Sequence, residues 1–531
     1  MKKPIRICIA LSLFLVLLFG CAHQVHTVYL HKDPKTDANQ IVVPNNHSIS
    51  IEDPSIDGKT FLGWFTDPQG TNPWNPHSKI KKDTHLFAKW ESNSYTVSFD
   101  SEGGSYVPSQ TVGFLETIDL EEPIKEGYLF EGWFYSLDHG DAFTEGTKVI
   151  SDLLLIANWV RLEYTPIQDE TEMEVSGYSG LLIKLEIPAM VQGLPVTRIG
   201  EGAFADALYL ESIQMPDSIR TIGKRAFENN THLREVVFSN QLEEIDDYAF
   251  SNCWFHLETL TFPESLKRIG HHAFSKASSL KQLELPASLV EIGEYGFYET
   301  VSLESVLFGN QVSKIGKYAF ARSISLNEVI LPNGLNKMEE GVFSECFSLE
   351  KVLLPSNIEQ IDYRAFYACS SLEEVFLPSS IQTIALQAFL ECNSIKEWSV
   401  AEESDTFISV DGVLFEKATH RLLFYPAGNE SETLVVSSQT IDIAPHALYK
   451  AIHLKSIRFT GDVVLIGEFA FAHAIRLEKI FFEGDIVPVI NVNSLKHLPS
   501  NIEIHVPNAL LHQYRIASFW RIYQYQFIGV S

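Results

Sequence analysis

Residues 314–332 read Lys-Ile-Gly-Lys-Tyr-Ala-Phe-Ala-Arg-Ser-Ile-Ser-Leu-Asn-Glu-Val-Ile-Leu-Pro. The Tyr-Ala-Phe triplet of this stretch returns along the chain with a spacing of 23 residues seven times, 24 once, 59 once and then 23 again. Its third position is occupied by Phe204, Phe227, Phe250, Phe274, Phe297, Phe320, Phe343, Phe366, Phe389, Leu448 and Phe471. A fixed period in the twenties predicts a solenoid, in which each repeat buries its apolar side only against its neighbours.

The same stretch predicts a short strand in every repeat. Val329 and Leu331 are two residues apart and therefore point to one face of a strand. Pro332 has no N–H group for a strand ladder and ends that strand. Strands stacked about 4.8 Å apart would form a continuous sheet, and a buried Phe in each repeat contributes on the order of 1.5–3 kcal/mol. We therefore expect a mainly β solenoid held together by a column of Phe side chains.

This pattern resembles the BspA-type leucine-rich repeat over about residues 164–531. The resemblance implies a leucine-rich-repeat solenoid of about 11 repeats within residues 161–531, with an N-terminal cap at 164–198 and a C-terminal cap at 484–531. The wide gap after Phe389 is expected to hold a hairpin at about 400–436, because Asp411-Gly412 is a strong hairpin turn signal. The resemblance also implies attachment to host proteins and other cells.

An earlier part of the chain is duplicated. Residues 61–65, Phe-Leu-Gly-Trp-Phe, return as Phe-Glu-Gly-Trp-Phe at 130–134, and Ala-Lys-Trp at 88–90 returns as Ala-Asn-Trp at 157–159, both at an offset of 69 residues. These residues resemble the internalin B-repeat family, also called the Listeria–Bacteroides repeat. The resemblance implies two small β-grasp-like modules, at 26–91 and 92–160. Their Trp residues are interpreted as core residues and not as sugar-stacking platforms.

The first residues are typical of an export signal. Lys2, Lys3 and Arg6 precede an apolar stretch at 7–20, which is too short to span a bilayer but suits a signal peptide. The stretch ends in Leu-Phe-Gly-Cys, which resembles a bacterial lipobox. We therefore expect a signal peptide at 1–20, a lipid on Cys21, a tether at 21–25 and a protein anchored on the outer face of the bacterial cell membrane. An ordinary signal peptide with a chance Cys is the alternative.

The charge balance limits the partners. The chain has 68 acidic and 40 basic residues, which gives a net charge of −28. Because affinity for nucleic acids depends on Lys and Arg, such a surface disfavours them as partners. The remaining possibilities are a protein or glycan of the host or of a neighbouring cell, with membrane attachment through the N-terminal lipid.

Four Cys residues recur at one position of the solenoid. Cys253, Cys346, Cys369 and Cys392 each come three residues after the repeated Phe, where other repeats have small residues. Buried free thiols are the favoured interpretation. A disulfide within the last three is geometrically conceivable, whereas zinc lacks the usual ligand spacing.

No motif for catalysis stands out. No HExxH, GxSxG, phosphate-binding loop or GxGxxG is found. The pair His271-His272 is expected to be exposed to solvent. We therefore predict no catalytic residues, no metal ligands, no cofactor and no enzymatic activity.

One position departs from the polar background. Ten residues after the repeated Phe, several repeats have a polar residue, such as Gln214, Glu284 and Ser399, whereas four consecutive repeats have Leu307, Ile330, Leu353 and Phe376. Stacked strands would align these four side chains as an exposed apolar stripe, which often marks an interaction site. Its polar rim would be formed by Glu304, Glu328, Lys351 and Glu374. Stabilisation of the sheet by neighbouring side chains, or cover by another segment, would also explain the stripe.

The favoured hypothesis is a cell-surface lipoprotein that binds or adheres through the solenoid sheet, with a protein or glycan as ligand. The alternatives are a polysaccharide-binding component of a surface uptake system and a structural envelope protein. An enzyme with an active site beside the predicted hairpin is a further alternative, but no cluster of acidic or His residues in the sequence supports it.

Overall fold

A computed structural model describes residues 24–33, 37–137, 141–253 and 258–531. The predicted signal peptide at 1–20, the lipidation residue Cys21 and most of the tether lie outside the described residues. Within those ranges the chain forms short strands together with one α-helix, Leu511–Ile516, and one 3-10 helix, Trp520–Tyr523. The prediction of a mainly β chain is confirmed. The chain divides into two compact units, the first formed by residues up to 126 and 132–158 and the second by 127–131 and 159–531.

The two modules contain strands with the same pairing pattern. The strands are β1 (Val25–His31), β2 (Asn39–Pro44), β3 (Lys59–Phe65), β4 (Thr84–Ser92), β5 (Ser94–Asp100), β6 (Gln110–Gly113), β7 (Leu129–Ser136), β8 (Asp141–Phe143) and β9 (Leu153–Ile167). Module 1 has the order β2-β1-β4-β3, with β1 and β4 parallel and both outer pairs antiparallel. In module 2, β5 likewise pairs antiparallel with β6 and parallel with residues 153–156 of β9. The prediction of two small β modules is confirmed.

The Trp residues of the repeated Gly-Trp-Phe motif form the cores of these modules. Trp64 is 5% exposed and Trp133 is 2% exposed. Trp64 packs in a cluster with Val28 and Leu86, which alternate with outward residues along their strands. The interpretation of these two indoles as core residues is therefore correct.

The second unit is a solenoid with two ladders of parallel strands. One ladder consists of strands of three to five residues: Lys184–Glu186, Ser212–Gln214, Glu235–Val237, Thr259–Thr261, Gln282–Glu284, Ser305–Leu307, Glu328–Ile330, Lys351–Leu353, Glu374–Leu377, Glu397–Val400, Thr433–Val436, Ser456–Phe459, Lys479–Phe482, Glu503–Pro507 and Phe527–Val530. The other consists mainly of two-residue strands: Glu172–Ser179, Leu194–Ile199, Thr221–Ile222, Glu244–Ile245, Arg268–Ile269, Glu291–Ile292, Lys314–Ile315, Lys337–Met338, Gln360–Ile361, Thr383–Ile384, Asp442–Ile443 and Leu465–Ile466. Met190–Val191 pairs antiparallel with the second of these. The prediction of a solenoid of stacked repeats is confirmed.

The repeated Phe side chains form one continuous column inside the solenoid. From Phe204 to Phe389, successive rings lie with centroids 5.0–5.8 Å apart and planes within 13° of parallel. The rings at the centre, such as Phe320 and Phe343, are fully buried. A single apolar core runs from Val160 to Phe527 around this column.

The backbone beside each ring has an unusual conformation. In most repeats the residues two before and two after the ring have a positive φ, as Tyr318 (55°) and Arg322 (64°) do around Phe320. Non-glycine residues in this region cost of order 1–3 kcal/mol each. Hydrogen bonds between repeats offset that cost, because Phe320 N–H donates to the Val342 carbonyl at 2.9 Å and Arg322 N–H to the Ser344 carbonyl at 2.8 Å.

Between the repeats of Phe389 and Leu448 the chain makes an additional small sheet. Phe407–Val410 and Val413–Glu416 form an antiparallel hairpin whose turn is Asp411-Gly412, both with positive φ. Leu422–Phe424 follows and pairs in parallel with Asp442–Ile443, which returns the chain to the solenoid. At the far end, Tyr514 and Trp520 are buried, and the Trp520 indole donates to the Pro488 carbonyl at 2.7 Å.

Candidate binding surface

The four predicted stripe residues lie together on the outer face of the longer ladder. In the three-residue strands that carry the first three of them, the middle side chain is buried and the first and third are exposed, as in Glu328–Ile330. Leu307, Ile330, Leu353 and Phe376 all occupy the third position and are 61%, 57%, 41% and 54% exposed. Ile330 is directly paired in register with Leu353. These four residues form an exposed apolar column, the stripe.

The first position of these strands forms a polar column beside the stripe. Glu328, Lys351 and Glu374 follow one another there in register. The fourth predicted rim residue, Glu304, lies outside this column, because its strand begins one residue later, at Ser305. Ser305 therefore takes the first position in that repeat, and Glu304 is exposed next to it.

Acidic groups without a cationic partner dominate this face. Lys351 and Lys396 are each already paired with a carboxylate. Lys351 Nζ lies 3.3 Å from a Glu328 oxygen, and Lys396 Nζ lies 2.7 Å from a Glu373 oxygen. Five exposed carboxylates form no ion pair among the described residues: Glu284, Glu304, Glu350, Glu374 and Glu397. The stripe is thus an apolar column bordered by excess negative charge.

An open hollow adjoins the start of the stripe. It has a volume of about 510 Å³ and is lined by Leu307, Phe308, Glu284 and Glu264, among others. The Glu264 carboxylate accepts the backbone N–H of Ala287 at 3.2 Å, whereas Glu284 is exposed. The hollow therefore extends the apolar surface to a site with negative charge.

The four solenoid cysteines are buried and free. Each donates its S–H to the backbone carbonyl of the ring residue in the preceding repeat, for example Cys392 to Phe366 at 2.9 Å and Cys369 to Phe343 at 3.2 Å. Burial raises the pKa of the Cys346 thiol to about 12. These thiols serve as small apolar residues that also satisfy a carbonyl.

One aromatic column was not foreseen. Tyr248, His272, Tyr295 and Tyr318 stack two residues before the repeated Phe, with ring centroids 4.7, 4.6 and 5.2 Å apart. The expectation that His271 and His272 are exposed is wrong, since both are half-buried. Burial, and then the neighbouring His271, lower the pKa of His272. The recurrence of Tyr or His at this position was the signal in the sequence that could have indicated the column.

None of the helices in the described ranges is long and apolar enough to cross a bilayer. In the same ranges, no group of three or more His, Cys, Asp or Glu residues is placed to hold a metal ion.

Comparison with known proteins relates the chain to named relatives. It is 35% identical over 139 residues to a putative membrane protein of Evansella cellulosilytica, an alignment that covers 25% of this chain and 21% of that protein. It is 36% identical over 100 residues to internalin H of Listeria monocytogenes, covering 18% of this chain and 16% of internalin H. The chain thus spans about a fifth or less of the length of these relatives.

A solved leucine-rich-repeat protein from Bacteroides ovatus has the same fold. The alignment covers 70% of this chain and 98% of that protein, with 21% identity and a TM-score of 0.52. At this level of identity the likeness concerns the fold alone.

Family profiles match both parts of the chain. The Listeria-Bacteroides repeat domain matches residues 26–89 and 95–158. The BspA type leucine rich repeat region matches residues 197–321, 290–418 and 423–523, in six copies that together cover more than half of the chain. The chain therefore belongs to the family of proteins with BspA-type leucine-rich repeats and carries two Listeria–Bacteroides repeat modules before them.

Proposed function

We propose that this chain is a non-enzymatic binding protein of the bacterial cell surface, which holds a protein partner on the stripe. The observation that carries the proposal is the alignment of four large apolar side chains on the outer face of a sheet. Leu307, Ile330 and Phe376 are each more than half exposed. Contiguous exposed apolar surface bordered by polar residues is typical of an interaction site.

The charge beside the stripe favours a partner with basic residues. Glu350, Glu374 and Glu397 are exposed and form no ion pair within the part of the chain that the structure describes, while Lys351 and Lys396 are paired with neighbouring carboxylates. A partner that presents Lys or Arg beside apolar side chains would complement this face, and opposite charge would also accelerate the encounter. These carboxylates would repel an acidic polysaccharide. A polysaccharide ligand is therefore ranked second, after a protein partner.

The surface location rests on two supports. The first is the sequence of residues 1–21, which favours a signal peptide and a lipid on Cys21. The second is that relatives are named as a membrane protein and an internalin. In this proposal the lipid tethers the chain to the membrane, and the stripe of the solenoid meets a host or neighbouring cell.

A binding screen with matched variants tests the proposal. The purified chain is exposed to extracellular matrix proteins, glycan arrays and whole cells, beside the variant Leu353→Glu, Phe376→Glu. Val435→Glu is the control, because Val435 occupies the same outward strand position elsewhere in the solenoid and is 65% exposed. We expect the parent and Val435→Glu to bind and the double variant to lose binding while its thermal unfolding is unchanged. Equal binding by all three proteins would refute a site on the stripe.

A further inference from the structure

The segment that covers the last coil of the solenoid leaves large apolar side chains exposed. It buries Tyr514 and Trp520 against the core. The outer face of a solenoid cap is normally polar, because no further repeat packs on it. Here four apolar or aromatic residues are exposed within ten positions. These four residues, the cap patch, are Ile516 (65% exposed), Phe519 (39%), Ile522 (56%) and Tyr525 (90%).

The backbone around Phe519 holds the cap patch in place. The α-helix and the 3-10 helix of this segment pack against one another, and Phe519 lies between them with φ 63° and ψ −33°. A bulky residue rarely adopts a positive φ, and it does so only where surrounding contacts impose it. The neighbouring Trp520 is such a contact, since it is buried and its indole donates to the Pro488 carbonyl at 2.7 Å. The Ile522 N–H donates to the Phe519 carbonyl at 3.2 Å, which fixes these two exposed residues one short turn apart.

The charge of the cap patch is opposite to that of the whole chain. The chain has a net charge of −28, but residues 504–531 contain no Asp or Glu. Arg515 and Arg521, on either side of Phe519 in the sequence, are exposed and form no ion pair within the described ranges. An apolar surface with free guanidinium groups and no carboxylate complements an apolar surface that is bordered by negative charge.

The stripe of the same chain is a surface of that kind. Beside its apolar side chains, Glu350, Glu374 and Glu397 are exposed and unpaired within the part of the chain that the structure describes. Guanidinium groups suit such carboxylates, because their planar donors can bind both oxygens at once. Two copies with a net charge of −28 each repel one another at long range. At physiological salt this repulsion is screened beyond about 8 Å, whereas charges in contact still attract.

We propose that the cap patch of one copy binds the stripe of a second copy of this chain. The inference rests on the proposed function, because it names a partner for the same stripe. Two different surfaces meet in this contact, so each copy retains a free cap patch or a free stripe, and the association can continue head to tail. On cells that carry the protein, the same contact would join one cell to the next.

Analytical ultracentrifugation tests the proposal. Residues 22–531, which contain every strand and helix of the structure but lack the predicted signal peptide and lipidation site, are sedimented at rising concentration and physiological salt. The cap variant is Arg515→Glu, Arg521→Glu, and the stripe variant is Leu353→Glu, Phe376→Glu. We expect the parent to form oligomers that grow with concentration and each variant to associate about tenfold more weakly or less. A mixture of the two variants should form dimers and nothing larger, because it retains one intact cap patch and one intact stripe.

Lys81→Glu, Lys276→Glu is the matched control. It reverses two exposed positive charges outside both surfaces, so it should self-associate like the parent. All of the substituted side chains are exposed, and the thermal unfolding of every variant should therefore match that of the parent.

Three results would overturn the inference. The first is a parent that stays monomeric, and the second is a mixture of the two variants that forms no dimers. In both cases the proposed function still stands if the stripe variant loses binding to a foreign protein that the parent and the cap variant retain. The third is a monomeric parent that binds phosphatidylglycerol vesicles through Arg515 and Arg521, which would assign the cap patch to a membrane. Equal self-association of the stripe variant and the parent would contradict the inference and would also count against the stripe as a binding site.

Discussion

The phenyl rings of Phe320 and Phe343 lie nearly parallel, at 12°, with centroids 5.6 Å apart and no exposed surface. Each ring packs on its counterparts in the preceding and following repeats, so its loss opens a cavity that two repeats line. Phe320→Ala should therefore lower the free energy of unfolding by about 3–5 kcal/mol. Denaturant unfolding would measure this change. Phe347→Ala is the control, since Phe347 is 44% exposed and should contribute much less; equal losses would contradict the column as the main source of stability.

The unpaired carboxylates beside the stripe predict a salt-sensitive association. Replacing Glu374 and Glu397 by Gln removes two negative charges from the exposed face without altering side-chain size. The association rate with a basic protein partner should fall several-fold at low ionic strength, while the dissociation rate changes less. Surface plasmon resonance at low and high salt would separate the two rates. An association rate that salt and both substitutions leave unchanged would exclude a basic partner at this face.

The contacts of Glu340 with Lys317 and Tyr318 predict that the free energy of unfolding falls in acid. The hydroxyl of Tyr318, at 2.9 Å, and the ammonium group of Lys317, at 3.1 Å, lower the pKa of Glu340 below its ordinary value of 4.5. Because the folded state holds the charged form, this contribution is present above pH 4.5 and is lost as pH falls through the lowered pKa. Glu340→Gln should thus unfold more easily than the parent at neutral pH and approach it in acid. A constant difference at all pH values would contradict this.

The buried thiols should be chemically silent in the folded protein. Burial raises the pKa of Cys253 and Cys346 to about 12 and also raises the pKa of Cys369. Because the thiolate is the reactive form, iodoacetamide at neutral pH should label none of these three cysteines, and Cys392 should be protected by its burial. In denaturant all four should react without prior reduction. Labelling that requires a reductant would reveal a disulfide among Cys346, Cys369 and Cys392.

The substitution Cys21→Ser tests the lipid anchor. Cys21→Ser replaces the sulfur that would carry the lipid by an oxygen and leaves residues 1–20 unchanged. In a bacterial host that processes lipoproteins, the parent should fractionate with membranes and label with a radioactive fatty acid. The variant should do neither. Cys253→Ser is the matched control and should retain both properties; fatty-acid labelling of Cys21→Ser would place the lipid elsewhere.

The sequence was sufficient for the solenoid because its signal is repeated in every coil. Phe320 and the strand after it can be located from the spacing alone, and the outward position of Ile330 follows from the alternation with Val329 and Leu331. The second ladder was not foreseen, because two-residue strands such as Lys314–Ile315 are too short to show alternation.

Other features depend on geometry that no residue pattern records. The positive φ of Tyr318 and Arg322 occurs at non-glycine residues, which carry no local signal for it. The position of Glu304 was misjudged by one residue, which is enough to remove it from the rim column.

The repetition of the Phe column has a consequence for inheritance. Since each coil from Phe204 to Phe389 offers the same ring to the next, an unequal exchange that adds or removes one whole coil within this range leaves the remaining ring contacts satisfied. Related proteins can therefore differ in the length of the outer face by whole coils. The ends are different, as at the last coil, where the Trp520 ring packs on Tyr514 and the Trp520 indole donates to the Pro488 carbonyl. Natural variation in coil number should accordingly be confined between two conserved ends.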